Sequence, residues 1–308
     1  MAEQMKSTAR PDPVGGAASL VEDVSGPAGA RRGPSPAELA RLGRLARRIR
    51  RDILIMLNRA GSGHTGGSLS ATDILVALFF SKMRHRPQEP RWPDRDRFVL
   101  SKGHAAPAYY AVLAHSGYFP PDELLKLRQL GSCLQGHPDC TLTPGVEVST
   151  GSLGQGLSVA SGMALGLRLD GLPSRVYVML GDGEMQEGQV WEAAMSAAHF
   201  KVDNLCAIVD CNDLQIDGLV REVMNIEPLA AKLQAFGWHT IECDGHDIGQ
   251  VLAALDAAEA VKGRPTAIVA RTVKGKGVSI FEGKAKYHGV APTDEELAQA
   301  LRELGEEA

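Results

Sequence analysis

The chain has 308 residues, 44% hydrophobic and 23% charged, the proportions of a soluble globular protein large enough to bury a full core. A net charge of −4 gives no electrostatic ground for nucleic-acid binding, and no apolar run reaches the length that spans a bilayer. The five cysteines, at 133, 140, 206, 211 and 243, match neither a disulfide framework nor a paired C-x-x-C metal site. That usage, with no apolar signal-peptide core in the first thirty residues, points to a reducing cytoplasm.

Residues 1–34, rich in Ala, Gly, Pro and Ser without periodicity, read as a disordered tail. Ser35-Pro36-Ala37-Glu38 then combines an N-cap, a first-turn proline and a capping-box glutamate. Leu39, Leu42, Leu45, Ile49 and Ile53 follow at helical spacing, with Arg41, Arg44, Arg47, Arg48 and Arg51 on a face expected to be solvated. A loop from Gly61 to Leu69 carries His64 and leads into a helix expected to be capped at Ser70, with Asp73 three positions on. Residues 97–101 read as a strand with Gly103-His104 at its carboxyl end, followed by helices near 106–115 and 121–130. Gly131 to Thr150 is a Gly/Pro-rich loop containing His137.

From Gly154 to Leu169 runs an Ala/Gly-rich helix whose small residues, Ala160 and Gly162 among them, suit close packing. Its neighbour is either a second subunit or the chain itself. Strands and helices then alternate over 175–180, 189–200, 205–210, 229–236, 238–243, 247–261 and 266–272, before a last helix from Asp294 to Leu304. This alternation predicts an α/β fold, a doubly wound parallel sheet with helices on both faces, formed by residues 35–308 as one domain.

Two of those strands carry the strongest chemical signal. Val176 to Leu180 is an apolar run that ends in Gly181-Asp182-Gly183, and Leu205 to Val209 is another that leads to Asn212 and Asp213. As neighbouring parallel strands they would present Asp182 and Asn212 at the carboxyl edge of the sheet, where ligands bind in open α/β folds. A carboxylate, an amide oxygen and backbone carbonyls make a hard, oxygen-only site, which suits Mg²⁺ or Ca²⁺ when phosphates complete the shell. The N–H of Gly183, with no side chain beside it, can approach a phosphate closely.

G-D-G, twenty-eight residues and then N-D resembles the thiamine diphosphate signature. Around it lie S-G-H-T-G-G at His64, L-S-K-G-H-A at His104, Q-G-H-P-D at His137, S-T-G-S-L-G-Q-G from Ser149 to Gly156, and Y-H-G at His288. In this order the segments cover roughly residues 36–305 and resemble the amino-terminal, diphosphate-binding half of transketolases.

The resemblance implies that Asp182, Asn212 and the backbone carbonyl of Leu214 hold a divalent metal. It places His104 and His288 on the diphosphate, with Gly181, Asp182, Gly183 and Asn212 around it. His64 and His137 would face the reacting carbonyl and hydroxyl groups, with His64 also touching the cofactor and His288 also serving catalysis. Gly151 and Leu153 would support the aminopyrimidine ring, and Glu187 would link paired active sites.

For Leu153 ordinary core packing stays open, and for Glu187 a solvated surface position. Lys274 and Lys276, in K-G-K-G, either contact a phosphate or lie in an exposed loop. His85, His115 and His246 have no comparable context and are expected on the surface.

Because the chain stops at Ala308, the resemblance implies the first subunit of a split transketolase. A C-terminal partner would bring the pyrimidine-binding domain with its activating glutamate, in an α₂β₂ heterotetramer. The reaction expected is transfer of a two-carbon ketol unit from a ketose phosphate to an aldose. An α-subunit of a 2-oxoacid dehydrogenase, a deoxyxylulose phosphate synthase fragment and a degenerate non-catalytic module are the alternatives.

Overall fold

The computed structural model describes residues 33–305 of the chain. The tail predicted over 1–34 lies outside the described residues, apart from Gly33 and Pro34. Helix α1, Pro36–Ala60, starts as its cap predicts: Ser35 Oγ accepts the N–H of Glu38 at 3.1 Å. It ends at Gly61, whose φ of 63° lets the chain turn back and donate its N–H to Asn58.

The arginine face of α1 is only partly solvated. Arg44 and Arg47 are exposed, but Arg41 donates to the carbonyl of Phe80 and Arg51 to that of Leu301. Arg50, which the periodicity hid, is buried against Asp73.

Helix α2, Thr65–Ala77, begins earlier than the expected cap at Ser70 and is buried along its whole length. His64 stands at its N-cap, and Ser70 sits inside it, donating to Asp210 at 2.6 Å. The glycines that read as loop are helical because other groups need their space: a Cβ on Gly66 would lie 2.7 Å from Lys274 Cγ, and one on Gly67 3.3 Å from His104 Nε2.

The sheet consists of β1 (Arg97–Leu100), β2 (Val176–Gly181), β3 (Leu205–Cys211), β4 (His239–Asp244) and β5 (Thr266–Arg271). Every pairing is parallel, in the order β1-β2-β3-β5-β4. Strand side chains alternate between two cores. Tyr177, Met179, Cys206 and Ile208 pack with α1, α2, α3 (Ala106–Ser116) and α8 (Ile248–Ala260). Val176, Val178, Leu180, Ala207 and Val209 pack on the other face with α4 (Gln155–Leu169), α5 (Gly188–His199) and α7 (Leu229–Ala235). The doubly wound α/β fold is therefore as predicted. A short α6, Val220–Val223, follows the β3 loop, and α9, Asp294–Leu304, is closed by a full capping box between Thr293 and Glu296.

Two details differ from expectation. Residues 121–130 form only a 3₁₀ turn, Pro121–Lys126, because Arg128 takes a left-handed φ of 60° and donates its N–H to Leu134 instead. In α4 the small residues serve mainly the chain's own core, with Ala160 and Ala164 fully buried. Gly162 faces outward, with nothing within 4 Å of a Cβ built there. Among the described residues no helix is long and apolar enough to cross a membrane.

Candidate active site

The β2–β3 register pairs Gly181 with Asp210, so the loops after both strands leave the sheet edge side by side. Asp182 is 5% exposed. Its carboxylate accepts the N–H of Gly183 at 2.8 Å and that of Asp213 at 2.5 Å, which fastens the two loops together. Asp213 needs a φ of 60° to make this bond.

Burial and the nearby charge of Asp210 raise the Asp182 carboxyl to about 6, against the pull of those two N–H groups. Asn212 Oδ1 accepts the N–H of Leu214 at 3.2 Å, and the Leu214 carbonyl accepts the ammonium of Lys274 at 2.8 Å. Among the described residues no group of three or more His, Cys, Asp or Glu is arranged to hold a metal by itself. A cation here would draw on one carboxylate, one amide and one carbonyl oxygen, with ligand phosphates for the rest.

Four of the predicted histidines converge on this edge from four separate segments. The His64 ring centroid lies 5.2 Å from His104, 5.5 Å from His288 and 6.4 Å from His137, and His104 lies 5.1 Å from His288. His64 comes from the start of α2, His104 from the turn after β1, His137 from the long loop and His288 from a 3₁₀ turn before α9. Gly151 packs against the His137 ring; with φ at 152°, a Cβ there would lie 3.1 Å from Cγ of that ring. Leu153 is half-buried, and Glu187 is exposed.

Burial and neighbouring cations keep all four imidazoles neutral. His64 is lowered to about 4 by burial and then by Arg128, His137 and Lys274; His288 falls to about 3 by burial and then Lys274. His104 lies well below its usual value through burial and Lys102, and His137 is lowered by burial and Arg128. Each neutral ring carries one donor and one acceptor nitrogen, and in His288 the acceptor is already taken. Lys274 donates to Nδ1 of His288 at 2.8 Å, so the His288 proton sits on Nε2. Nδ1 of His64 is buried without a hydrogen-bond partner among the described residues, a polar atom whose desolvation a bound ligand could offset.

This arrangement sets a pH dependence. Between an ordinary histidine value near 6.5 and the lowered folded values, the unfolded chain binds more protons than the folded one. The histidine contribution to stability is therefore intact above about 6.5 and lost as pH falls towards 4. A His288→Gln chain lacks one of these titrations, and its urea midpoint should fall less steeply from pH 7 to 5 than the parent's. Parallel curves would show that His288 is not held neutral.

The residues that brace the site were largely missed by motif reading. Lys102, inside L-S-K-G-H-A, is 1% exposed; it pairs with Asp210 and donates to the Gly67 carbonyl at 3.0 Å. Asp210, two residues before Asn212, is fully buried and also accepts from Ser70 and Thr272. Burial opposes its charge, but Lys102 and these bonds hold its carboxyl below the usual range.

Glu184, next to G-D-G, is 2% exposed and accepts from Gly154 N at 2.9 Å, Gly181 N at 3.0 Å and Ser101 Oγ. One carboxylate thereby joins the ends of β1 and β2 to the start of α4. Lys274 is buried, not exposed, and burial with the charge of Lys102 lowers its ammonium to about 8. Lys276 stays at the surface. His115 and His246, expected on the surface, are built in against Asp52 and Asp73, and His85 holds the Phe79 carbonyl.

The geometry can be set beside known proteins. A family described as "Transketolase, thiamine diphosphate binding domain" matches residues 43–308. The chain is 46% identical over 259 residues to the 6-deoxy-6-sulfo-D-fructose transketolase subunit SqwG of Clostridium sp. (strain MSTE9), covering 84% of this chain and 94% of that one. It is 42% identical over 263 residues to one of the subunits of the apulose-4-phosphate transketolase of Actinobacillus succinogenes, covering 85% and 95% respectively.

The transketolase structure from Campylobacter jejuni superposes with a TM-score of 0.81 at 35% identity, covering 86% of this chain and 42% of that one. The chain thus spans nearly the full length of the two subunits and about two-fifths of full-length transketolase. Fold and site together define a thiamine diphosphate-binding domain. The chain belongs to the transketolase family.

Proposed function

We propose that this chain is the N-terminal subunit of a two-chain transketolase, moving a two-carbon ketol unit from a ketose phosphate or a similarly anionic ketose to an aldose acceptor. The observation that carries this reading is the convergence of His64, His104, His137 and His288 on the sheet edge that presents Asp182 and Asn212. Its relatives carry the names of sulfofructose and apulose-phosphate transketolase subunits, which supports an anionic ketose as donor. Residues 35–308 act as one diphosphate-binding domain, in a cytoplasmic protein that binds neither nucleic acid nor membrane.

The residues fit the cofactor and a divalent cation. Asp182, buried and raised to about 6 despite the nearby charge of Lys274, favours a bound cation, and Mg²⁺ or Ca²⁺ would sit on Asp182, Asn212 and the Leu214 carbonyl. Gly181 and Gly183 leave the backbone open to the diphosphate, while His104, His288 and Lys274 supply hydrogen bonds and positive charge. Gly151 and Leu153 hold the aminopyrimidine ring.

Thiamine diphosphate, when bound, supplies the nucleophilic carbon. His64 and His137, neutral at physiological pH, accept and return protons at the sugar hydroxyl and carbonyl oxygens and orient the substrate. His288 shares that work through its Nε2 proton.

The partner chain supplies the pyrimidine-binding domain, and two copies of each chain form an α₂β₂ assembly around paired sites. Glu187, exposed at the start of α5, lies at that contact and helps link the sites. The outward side of α4 and α5, with Gly162 and Met195, faces the partner, while Ala160 remains inside the subunit.

The deciding experiment mixes purified chain with a candidate pyrimidine-domain subunit, thiamine diphosphate and Mg²⁺, using xylulose 5-phosphate and ribose 5-phosphate, then sulfofructose and apulose phosphate as donors. Ketol transfer by the mixture and none by either chain alone is expected. Turnover by this chain alone would overturn the split-enzyme reading.

A further inference from the structure

We propose that Asp73 and His246 form a positioning pair that holds residues 272–277, and so places the Lys274 ammonium beside Leu214 and His288. The importance of that placement rests on the transketolase reading. The geometry of the pair does not.

His246 lies just past β4 and meets two partners at once. Its Nε2 accepts the N–H of Val273 at 2.8 Å, and its Nδ1 is 2.8 Å from Asp73 Oδ2. A backbone N–H can only donate, so Nε2 carries the lone pair and Nδ1 the proton, which goes to Asp73. The ring is a neutral link of defined tautomer between α2 and the segment after β5.

Asp73 is itself held in place: Arg50 donates to both carboxylate oxygens, at 3.0 and 2.5 Å. Burial opposes the charge on Asp73, but Arg50 and His246 hold its carboxyl below the usual range. The three side chains are 6%, 8% and 11% exposed, so water competes little for these bonds.

What they hold needs holding. K-G-K-G contains Gly275 and Gly277 at φ of 82° and 97°, a backbone with wide freedom when untethered. Lys274, 2% exposed, would regain hydration if the segment relaxed outward. The segment starts at Thr272, whose N–H donates to the Cys211 carbonyl at 3.0 Å and whose hydroxyl donates to Asp210. At its end Gly277 N donates to Glu282 Oε1 at 2.9 Å. Three further ties prevent that relaxation. Val273 N is fixed by His246, and Gly275 N donates to the Gly66 carbonyl at 3.0 Å. Gly277 packs on Arg50, where a Cβ would lie 3.1 Å from Cδ. Arg50 and Asp73 thus brace both ends of the segment, one directly and one through His246.

The test compares full-length chains carrying His246→Asn and His246→Gln. Asparagine keeps a donor towards Asp73 but is too short to reach Val273, whereas the glutamine carbonyl can replace Nε2 as acceptor. Amine labelling read by mass spectrometry should modify Lys274 roughly tenfold faster in His246→Asn, the change expected for losing about one buried hydrogen bond. It should leave Lys276 unchanged, and His246→Gln should restore protection. Equal Lys274 labelling in folded parent and His246→Asn chains would overturn the proposal. So would labelling that rises at every lysine, which marks general loosening.

Calorimetric titration with thiamine diphosphate and Mg²⁺ then adds a double-mutant cycle. His246→Asn should weaken binding in the parent but not further in Lys274→Met, and fully additive losses would refute action through Lys274. If the parent chain, alone and with its partner, binds no thiamine diphosphate, the transketolase reading fails, while the labelling arm still decides the positioning role.

Discussion

Asp182→Asn is expected to remove metal-dependent thiamine diphosphate binding, by on the order of 100-fold or more, while the apo chain folds nearly as stably as the parent. Asp182 is 5% exposed, so this is a buried carboxylate and not a surface turn residue. Its folded value, about 6, lies above the ordinary aspartate value. Between the two the folded chain binds more protons than the unfolded one, so stability falls as pH rises from about 4 to 6.

Above that window the ionised carboxylate costs up to about 3 kcal/mol, a cost that the proposed divalent cation would offset. Asparagine removes this cost, but one amide oxygen cannot accept both the Gly183 and Asp213 N–H groups, a loss of about 1–3 kcal/mol. The two effects oppose each other, so the net change in apo stability at pH 8 should stay within about 1 kcal/mol. Urea melts at pH 4.5 and 8, with Mg²⁺ and with chelator, separate the effects: the parent should gain stability from Mg²⁺ with thiamine diphosphate at pH 8, and the variant should not. Equal gains would exclude Asp182 as a ligand of the proposed cation.

Lys102→Met should destabilise the fold by about 3–5 kcal/mol, the usual consequence of stranding one member of a buried ion pair. Lys102 is 1% exposed and Asp210 fully buried, so neither solvent nor salt would screen the remaining charge. The methionine fills the lysine stem's volume, which isolates the lost ammonium from any cavity effect. Denaturant midpoints at two salt concentrations provide the measure. The double variant Lys102→Met/Asp210→Asn should recover part of the loss, because the uncompensated carboxylate is gone. A single-variant loss below about 1 kcal/mol, or no recovery in the double variant, would show that the pair does not brace the β1 and β3 loop ends.

The sequence by itself determined the elements whose signals are local. The cap at Ser35, the last helix from Asp294 to Leu304, and the apolar runs ending in Gly181-Asp182-Gly183 and Asn212-Asp213 each state their structure within a few residues. Alternation of strand and helix then left a parallel doubly wound sheet as the simplest topology, and His64, His104, His137 and His288 were legible from the glycine-flanked segments that hold them.

Only the tertiary structure decided the partners, because hydrogen bonds across the sheet edge depend on strand register and not on sequence spacing. Ser70 read as a cap because the position of Asp210, 140 residues away, is invisible locally. Ala160 read as a possible contact between subunits because small residues suit any close neighbour, and β2 and α5 turned out to be that neighbour. Lys274 is buried because Gly66 leaves room for its stem, and His246 because Asp73, 173 positions away, meets it across α2. Residue types and their local order named the chemistry available; the packing of distant segments fixed which charges are paired, which imidazoles stay neutral and which carboxylate is buried at the sheet edge.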